Sequence, residues 1–298
     1  MKDVVAVVAG ASRGCGRGIA LALGDAGATV YVTGRTVRGG RAPVDGSPGT
    51  IEDTADEVTR RGGRGIAVRT DHTRPDEVEA LFARVRSERG RLDVLACAVW
   101  GGNERYMDPA WKRPLWQQPA EAWHESLDAG PGAFWLTARA ASGLMAANQD
   151  TRASLIVTIT EPVLPGPPGA VEDQSAGLAQ TFWNLGHHAM NRLVADLARE
   201  TRAVGIAIVG LMPGFMKTER VERHLQELGD EVRQQYRYDL AETTEYSGRA
   251  VVALARDPDV QAKSGTLVYV ADLAEEYGFT DVDGRRVGNF YRALGMIP

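Results

Sequence analysis

The chain has 298 residues, 44% of them hydrophobic and 24% charged, with 34 basic against 39 acidic side chains and a net charge of −5. That length allows one large α/β domain or two small ones, the composition excludes wholesale disorder, and the missing basic field excludes nucleic acid or anionic lipid as the expected partner. Two cysteines, Cys15 and Cys97, exclude a disulfide framework or a thiolate zinc cage, and the absence of an apolar run near roughly 18 residues or a signal-like start makes a cytoplasmic protein without membrane contact the expectation.

Apolar runs rich in β-branched residues at 4–9, 29–33, 65–69, 92–98, 154–160, 205–211 and 266–270 read as buried strands. Amphipathic patterns lie between them. In the stretch 75–89, Val78, Leu81, Phe82 and Val85 make one apolar stripe behind Pro75, which suits a first helical turn. The stretch 51–61 has the same character. Strand–helix alternation along the whole length implies an α/β fold: a single Rossmann-type, doubly wound sheet of seven mainly parallel strands with helices on both faces. Residues 1–298 form one domain in this reading, without internal repeats. Three segments interrupt the alternation: a Gly/Pro-rich loop near 37–50, a proline-rich insertion near 161–175, and a charged, helical flap near 215–240. The last two leave carboxyl ends of strands, where open α/β sheets bind ligands.

The first strand runs into Gly10-Ala11-Ser12-Arg13-Gly14-Cys15-Gly16, followed by a helix beginning Arg17-Gly18-Ile19. Glycines there permit a tight turn and close backbone approach to a pyrophosphate seated on a helix N-terminus, and the strand–turn–helix context supports that reading. The second strand ends Val32-Thr33-Gly34-Arg35. An acidic residue near this point would take the ribose 2′-hydroxyl of NAD; an arginine accommodates a 2′-phosphate. Arg35, helped by Arg13, therefore points to NADP(H), the alternative being that both arginines are solvated surface charges.

Gly10-x-x-x-Gly14-x-Gly16, Asp71 after the third strand, and Pro213-Gly214-x-x-x-Thr218 after the sixth together resemble the short-chain dehydrogenase/reductase superfamily over essentially the whole chain. The C-terminal segments Ala241-Glu242-Thr243-Thr244-Glu245 and Tyr277-Gly278-Phe279-Thr280-Asp281 resemble its branch of mammalian member 1 and bacterial relatives. The resemblance implies that Gly10, Ser12, Arg13, Gly14, Gly16, Arg35, Asp71 and His72 hold the nucleotide, with Asp71 on the adenine amino group. It implies that Pro213, Gly214 and Thr218 line the nicotinamide carboxamide, and that the chain assembles as a homodimer or homotetramer.

The catalytic set of the superfamily does not transfer. Its Asn-Asn-Ala-Gly segment aligns with Cys97-Ala98-Val99-Trp100, its helical Asn with Ala129, its Ser with Glu161, and its Tyr-x-x-x-Lys pair with Trp183 and His187. Indole donates a hydrogen bond but is no useful acid, so Trp183 does not replace the tyrosine. Two substitutes are legible. His187 is a candidate proton donor or ribose ligand, and Glu161, if close to it, would favour the imidazolium form and poise an acid near neutrality. The plainer readings are an incidental helix histidine and a solvated carboxylate at a loop start. Trp183 and Trp100 read as walls of a flat pocket or as packing. No metal site is expected: adjacent His187 and His188 diverge on a helix, and His72, His124 and His224 lack ligand spacing.

The expected function is an atypical NADPH-dependent reductase of an activated C=O, C=N or conjugated C=C in a small specialised-metabolism substrate, aromatic or polycyclic in character. A non-redox cyclase, dehydratase or isomerase on the same fold is the first alternative, and a cofactor-binding module without catalysis is the second.

Overall fold

The structure is a computed structural model, and it describes residues 1–41, 43, 46–101, 114–117, 119–148, 153–162, 177–228 and 237–298. In chain order, β1 (Val5–Ala9), α1 (Gly14–Asp25), β2 (Thr29–Gly34), α2 (Ile51–Arg60), β3 (Arg64–Arg69), α3 (Pro75–Arg89) and β4 (Val94–Cys97) make the first half. A short helix α4 (Glu121–Trp123) runs through the π-helical segment His124–Gly132 into α5 (Ala133–Met145). β5 (Ser154–Ile159), α6 (Gly177–Thr201), β6 (Ile206–Met212), β7 (Met216–Lys217) and α7 (Glu219–Leu228) follow. The chain ends with β8 (Glu242–Thr243), α8 (Thr244–Arg256), β9 (Leu267–Tyr269), α9 (Val270–Tyr277) and α10 (Phe290–Ala293).

The seven long-range strands lie in the order β3-β2-β1-β4-β5-β6-β9, all parallel. Each expected strand is present, with ends shifted by one or two residues. At 92–98 the shift has a local cause: the Asp93 carboxylate accepts from the Val5 N–H at 2.8 Å, so regular pairing starts at Val94. Among the described residues β7 and β8 pair only with each other, as a two-residue ladder beside the main sheet.

Alternation along β1 divides the core into two layers. Ala6 and Val8 pack with α1, α2, α8 and α9, through residues such as Leu21, Val58, Val251 and Leu273. Val5, Val7 and Ala9 face α3, α5 and α6, through Val78, Phe82, Phe134 and Val194. Helix α3 shows how the sequence specifies such a layer. Pro75 opens it, Asp76 and Glu77 lie in its first turn, and Gly90 ends it in the left-handed region at φ 68°. Its stripe of Val78, Leu81, Phe82 and Val85 is fully enclosed, each side chain contributing about 1.5–3 kcal/mol.

Strand order reverses between β1 and β4, so the crevice for a ligand opens at their carboxyl ends. Three segments leave the carboxyl ends of strands. The loop at 37–50 is irregular, as expected, and stops where α2 begins. The flap at 215–240 contains α7 but also β7, while its residues 229–236, like residues 163–175 of the proline-rich insertion, lie outside the described residues.

Candidate active site

The turn after β1 has the shape its glycines permit. Gly10 (φ 77°) and Gly14 (φ 57°) are left-handed, and a Cβ on Gly10 would stand 2.8 Å from the Ala98 carbonyl oxygen. A Cβ on Gly16 would be only 2.2 Å from the carbonyl oxygen of Gly10. The result is a backbone loop that brings the N–H groups of the α1 start to the crevice. Gly14 N–H already donates to a carboxylate oxygen, Glu219 Oε2, at 2.8 Å. A helix start that holds a carboxylate fits the pyrophosphate of a dinucleotide.

Ser12 is buried within the turn. Arg13 is built into the adjacent loop: Nε donates to the Pro48 carbonyl at 3.2 Å, and Nη2 donates to Thr36 Oγ1 at 3.0 Å and the Gly49 carbonyl at 3.2 Å. These bonds give Arg13 a loop-holding role next to the corner where a 2′-phosphate is expected. At the end of β3, Asp71 Oδ1 accepts from the Thr73 N–H at 3.0 Å and from its hydroxyl at 2.7 Å. Burial alone would raise the Asp71 carboxyl, but these bonds and the nearby charge of Arg35 hold it below the usual carboxylate range. Arg35 and Asp71 therefore share one corner of the crevice. The His72 ring lies in the core. Its nitrogens meet Thr33 Oγ1 at 2.8 Å and Thr137 Oγ1 at 3.0 Å, and burial pushes its pKa down to about 4.

The other end of the crevice is aromatic. Glu161 follows β5 directly, and Trp183 Nε1–H from α6 donates to its Oε2 at 2.8 Å. Burial pushes the Glu161 carboxyl up to about 7, and the indole bond works against that rise. The Trp100 ring stacks on His187 with centroids 4.5 Å apart and meets Trp183 edge-on at 5.4 Å. It fills a slot between two glycines: a Cβ on Gly130 would approach it to 2.7 Å and one on Gly186 to 2.5 Å. Ala129 lies in the π-helical segment, where Pro131 supplies no N–H, and its carbonyl accepts from Gly101 N–H at 2.9 Å.

His187 is 7% exposed, and its hydrogen bonds define its protonation. Asn191 Nδ2 donates to the Glu161 backbone carbonyl at 3.1 Å, which makes its Oδ1 the acceptor for the Thr160 hydroxyl at 2.6 Å. Thr160 Oγ1 has spent its proton there, so at 3.3 Å it accepts from His187 Nδ1–H. The ring is the Nδ1–H tautomer, and Nε2 carries a buried lone pair without a hydrogen-bond partner among the described residues. Burial lowers its pKa to about 4. The expected imidazolium paired with Glu161 is thus overturned. Glu161 is held by Trp183, the indoles dehydrate His187, and the group poised near neutrality is the carboxyl.

Residues outside the sequence motifs complete the crevice. Gly214 N–H donates to Glu242 Oε2 at 3.1 Å, and burial pushes the Glu242 carboxyl up to about 8. The Phe290 ring of α10 lies 5.9 Å from that of Phe215, beside Pro213-Gly214. Tyr291 is buried close to both acids; burial first, and then the charges of Glu161 and Glu242, raise its phenol. Thr218 Oγ1 accepts from Val221 N–H at 3.2 Å and so caps α7. Gly214 and Glu242 lie in segments that carry the family resemblance, whereas Tyr291 and Asn191 carry no motif. Among the described residues, no three His, Cys, Asp or Glu side chains group to hold a metal ion, and no helix is long and apolar enough to cross a membrane.

A parallel sheet with a glycine turn at its switch point, an acid after β3 and a Pro-Gly turn after β6 defines a dinucleotide-binding oxidoreductase fold. Comparison with known proteins agrees. The family model described as Enoyl-(Acyl carrier protein) reductase matches residues 10–272. The human protein "Dehydrogenase/reductase SDR family member 1" is 36% identical over 304 aligned residues, covering 100% of this chain and 89% of that protein. A short chain dehydrogenase of Mycobacterium thermoresistibile superposes with a TM-score of 0.75 at 20% identity, covering 97% of this chain and 93% of that one. A 7 alpha-hydroxysteroid dehydrogenase, solved with NADH and 7-oxo glycochenodeoxycholic acid, gives 0.66 at 21% identity over 89% and 92% of the two chains. The chain belongs to the short-chain dehydrogenase/reductase (SDR) family, whose members are oxidoreductases that use nicotinamide cofactors on small molecules.

Proposed function

We propose that the chain is an NADP(H)-dependent reductase acting on an activated C=O, C=N or conjugated C=C of a flat, small specialised-metabolism substrate, with Glu161 as proton donor in place of a Tyr/Lys relay. The observation that carries this reading is the Glu161 carboxyl fixed by Trp183 at 2.8 Å in the aromatic end of the crevice. When bound, the cofactor supplies hydride. Gly10, Gly14 and Gly16 would receive its pyrophosphate, Arg35 its 2′-phosphate, Asp71 its adenine, and Pro213, Gly214 and Thr218 its carboxamide.

The contribution of the chain itself is the proton. Near neutral pH a substantial fraction of Glu161 is protonated, and its free oxygen gives the proton to the atom that gains charge. The Trp183 N–H then stabilises the resulting carboxylate, while Trp100 keeps water from the site. His187, neutral and lacking an Nε2 proton, serves as a hydrogen-bond acceptor. A cytoplasmic homodimer or homotetramer completes this reading.

The test is consumption of NADPH, against NADH, across aromatic and polycyclic ketones, imines and enones. Turnover that falls above pH 7 supports the assignment. Tight NADPH binding without consumption by any of them overturns it. The non-redox alternative has one observation in its favour: an acid, Glu161, and the neutral imidazole of His187 both adjoin the Trp183 ring. Product formation indifferent to removal of NADP(H) would establish that alternative.

A further inference from the structure

The start of α1 and the start of α7 are in contact. Because Thr218 caps α7, Glu219 is the first residue of that helix, and its carboxylate accepts the Gly14 N–H at 2.8 Å. Gly14 is in turn the first residue of α1, and the side chain at its cap position, Arg13, makes no capping bond to the helix start. The Glu219 carboxylate therefore caps α1 from 205 residues away, at the positive end of its dipole. The Thr218 methyl lies on the same side, 3.9 Å from where a Cβ on Gly14 would be. A second contact fastens α7 further along: Arg223 Nη2 donates to the Gly46 carbonyl at 2.8 Å. Helix α7 is thus tied across the glycine turn to the 46–50 loop.

In the dinucleotide reading, on which this inference rests, the same turn receives the pyrophosphate. Two anions do not share one helix start: the carboxylate and the phosphate repel, and both require the same N–H groups. We propose that Glu219 is the residue that sets the dinucleotide affinity of this chain, holding the anion seat of α1 with its carboxylate and releasing it when pyrophosphate enters. Binding then carries the loss of the Gly14–Glu219 bond and a displacement of the start of α7. Release of the spent dinucleotide is assisted by the return of that carboxylate.

The experiment measures NADPH affinity by the change in its fluorescence on binding to the full chain, together with unfolding temperature in the absence of nucleotide. Glu219→Gln keeps the length and the acceptor oxygen but removes the charge; Glu219→Ala removes both. NADPH binding is expected to tighten roughly tenfold in Glu219→Gln, the scale of one charge-assisted hydrogen bond removed from the competing state, and at least as much in Glu219→Ala. Glu222→Gln makes the same charge change on α7 and is expected to leave affinity unchanged. A purely structural cap would behave otherwise, lowering the unfolding temperature of Glu219→Ala without tightening NADPH. Unchanged or weaker binding by Glu219→Gln, or equal tightening by Glu222→Gln, overturns the proposal while leaving the dinucleotide reading standing. Failure of the wild type and both Glu219 variants to bind NADPH or NADH overturns that reading and the proposal with it.

Discussion

Trp183 and Glu161, 22 residues apart, are joined by an indole N–H to carboxylate bond of 2.8 Å that ties α6 to the end of β5. The indole bond stabilises the ionised carboxyl and burial opposes it, so the acid settles near pH 7, where proton donation and reprotonation are both accessible.

Glu161→Gln keeps the hydrogen bond to Trp183 and removes the transferable proton. Turnover is expected to fall by ~10²–10⁴-fold, the usual worth of a general acid, with KM for substrate little changed. The alkaline limb near pH 7 should vanish with it. Residual activity that keeps the limb would assign the proton to another group.

Trp183→Phe removes the N–H while leaving an aromatic wall. The Glu161 carboxyl loses the bond that lowers it and moves above about 7. The alkaline limb of turnover should shift to higher pH in steady-state profiles. A limb that stays in place shows that the bond does not tune the acid.

Gly186→Ala tests the Trp100 slot. In a helix this change gains about 0.5–1 kcal/mol, but the new Cβ would lie 2.5 Å from the indole, and overpacking costs about 1–3 kcal/mol. Overpacking wins, so the unfolding free energy should drop and Trp100 should leave its stack on His187. Water then reaches the imidazole, and its pKa, followed by NMR titration, should climb from about 4 toward 6.5. A ring that still titrates near 4 would show that Trp100 is not what dehydrates it.

Stability should respond to pH in two opposed ways. Glu161 and Glu242 rise from 4.5 to about 7 and about 8, so the native chain binds more protons than the unfolded one across that span and loses stability as pH rises. His72 and His187 fall from 6.5 to about 4, so the native chain binds fewer protons there and loses stability as pH drops below 6.5. The two effects oppose each other between pH 4.5 and 6.5, and above that window the carboxyls prevail. Glu242→Gln, which keeps an acceptor for Gly214 N–H, should flatten the decline in unfolding temperature between pH 6.5 and 8. Equal slopes in both proteins would show that Glu242 does not titrate there.

Arg35→Asp addresses cofactor choice. Loss of a charge-assisted partner for a 2′-phosphate, worth about 1.5–3 kcal/mol, should weaken NADPH by about 10- to 100-fold. NADH binding should hold or improve. Parallel loss of both cofactors in equilibrium titrations would remove Arg35 from the 2′-phosphate.

The local order of this protein is written in its sequence. Strands such as Val5–Ala9 and Ile206–Met212 are continuous apolar runs because both sheet faces are covered, and that pattern is legible without a fold. Helix α3 carries its own start, stripe and stop. Spacing alone exposes the turn of Gly10, Gly14 and Gly16, because only glycine adopts its φ values without strain and admits its close contacts. The two-residue strands β7 and β8 escape notice, since two residues show no periodicity.

What each polar group does in the crevice was decided only by tertiary structure. Whether Glu161 meets His187 or Trp183 depends on how α6 packs beside β5, and the answer reverses which group titrates near neutrality. Arg13 and His72 fall within the cofactor motifs, yet contacts to the 46–50 loop and to Thr33 and Thr137 engage their side chains. Glu219 reaches Gly14 across 205 residues. Backbone pattern is a local property of the chain, whereas burial, and with it charge state, is set by neighbours that only the folded chain brings together.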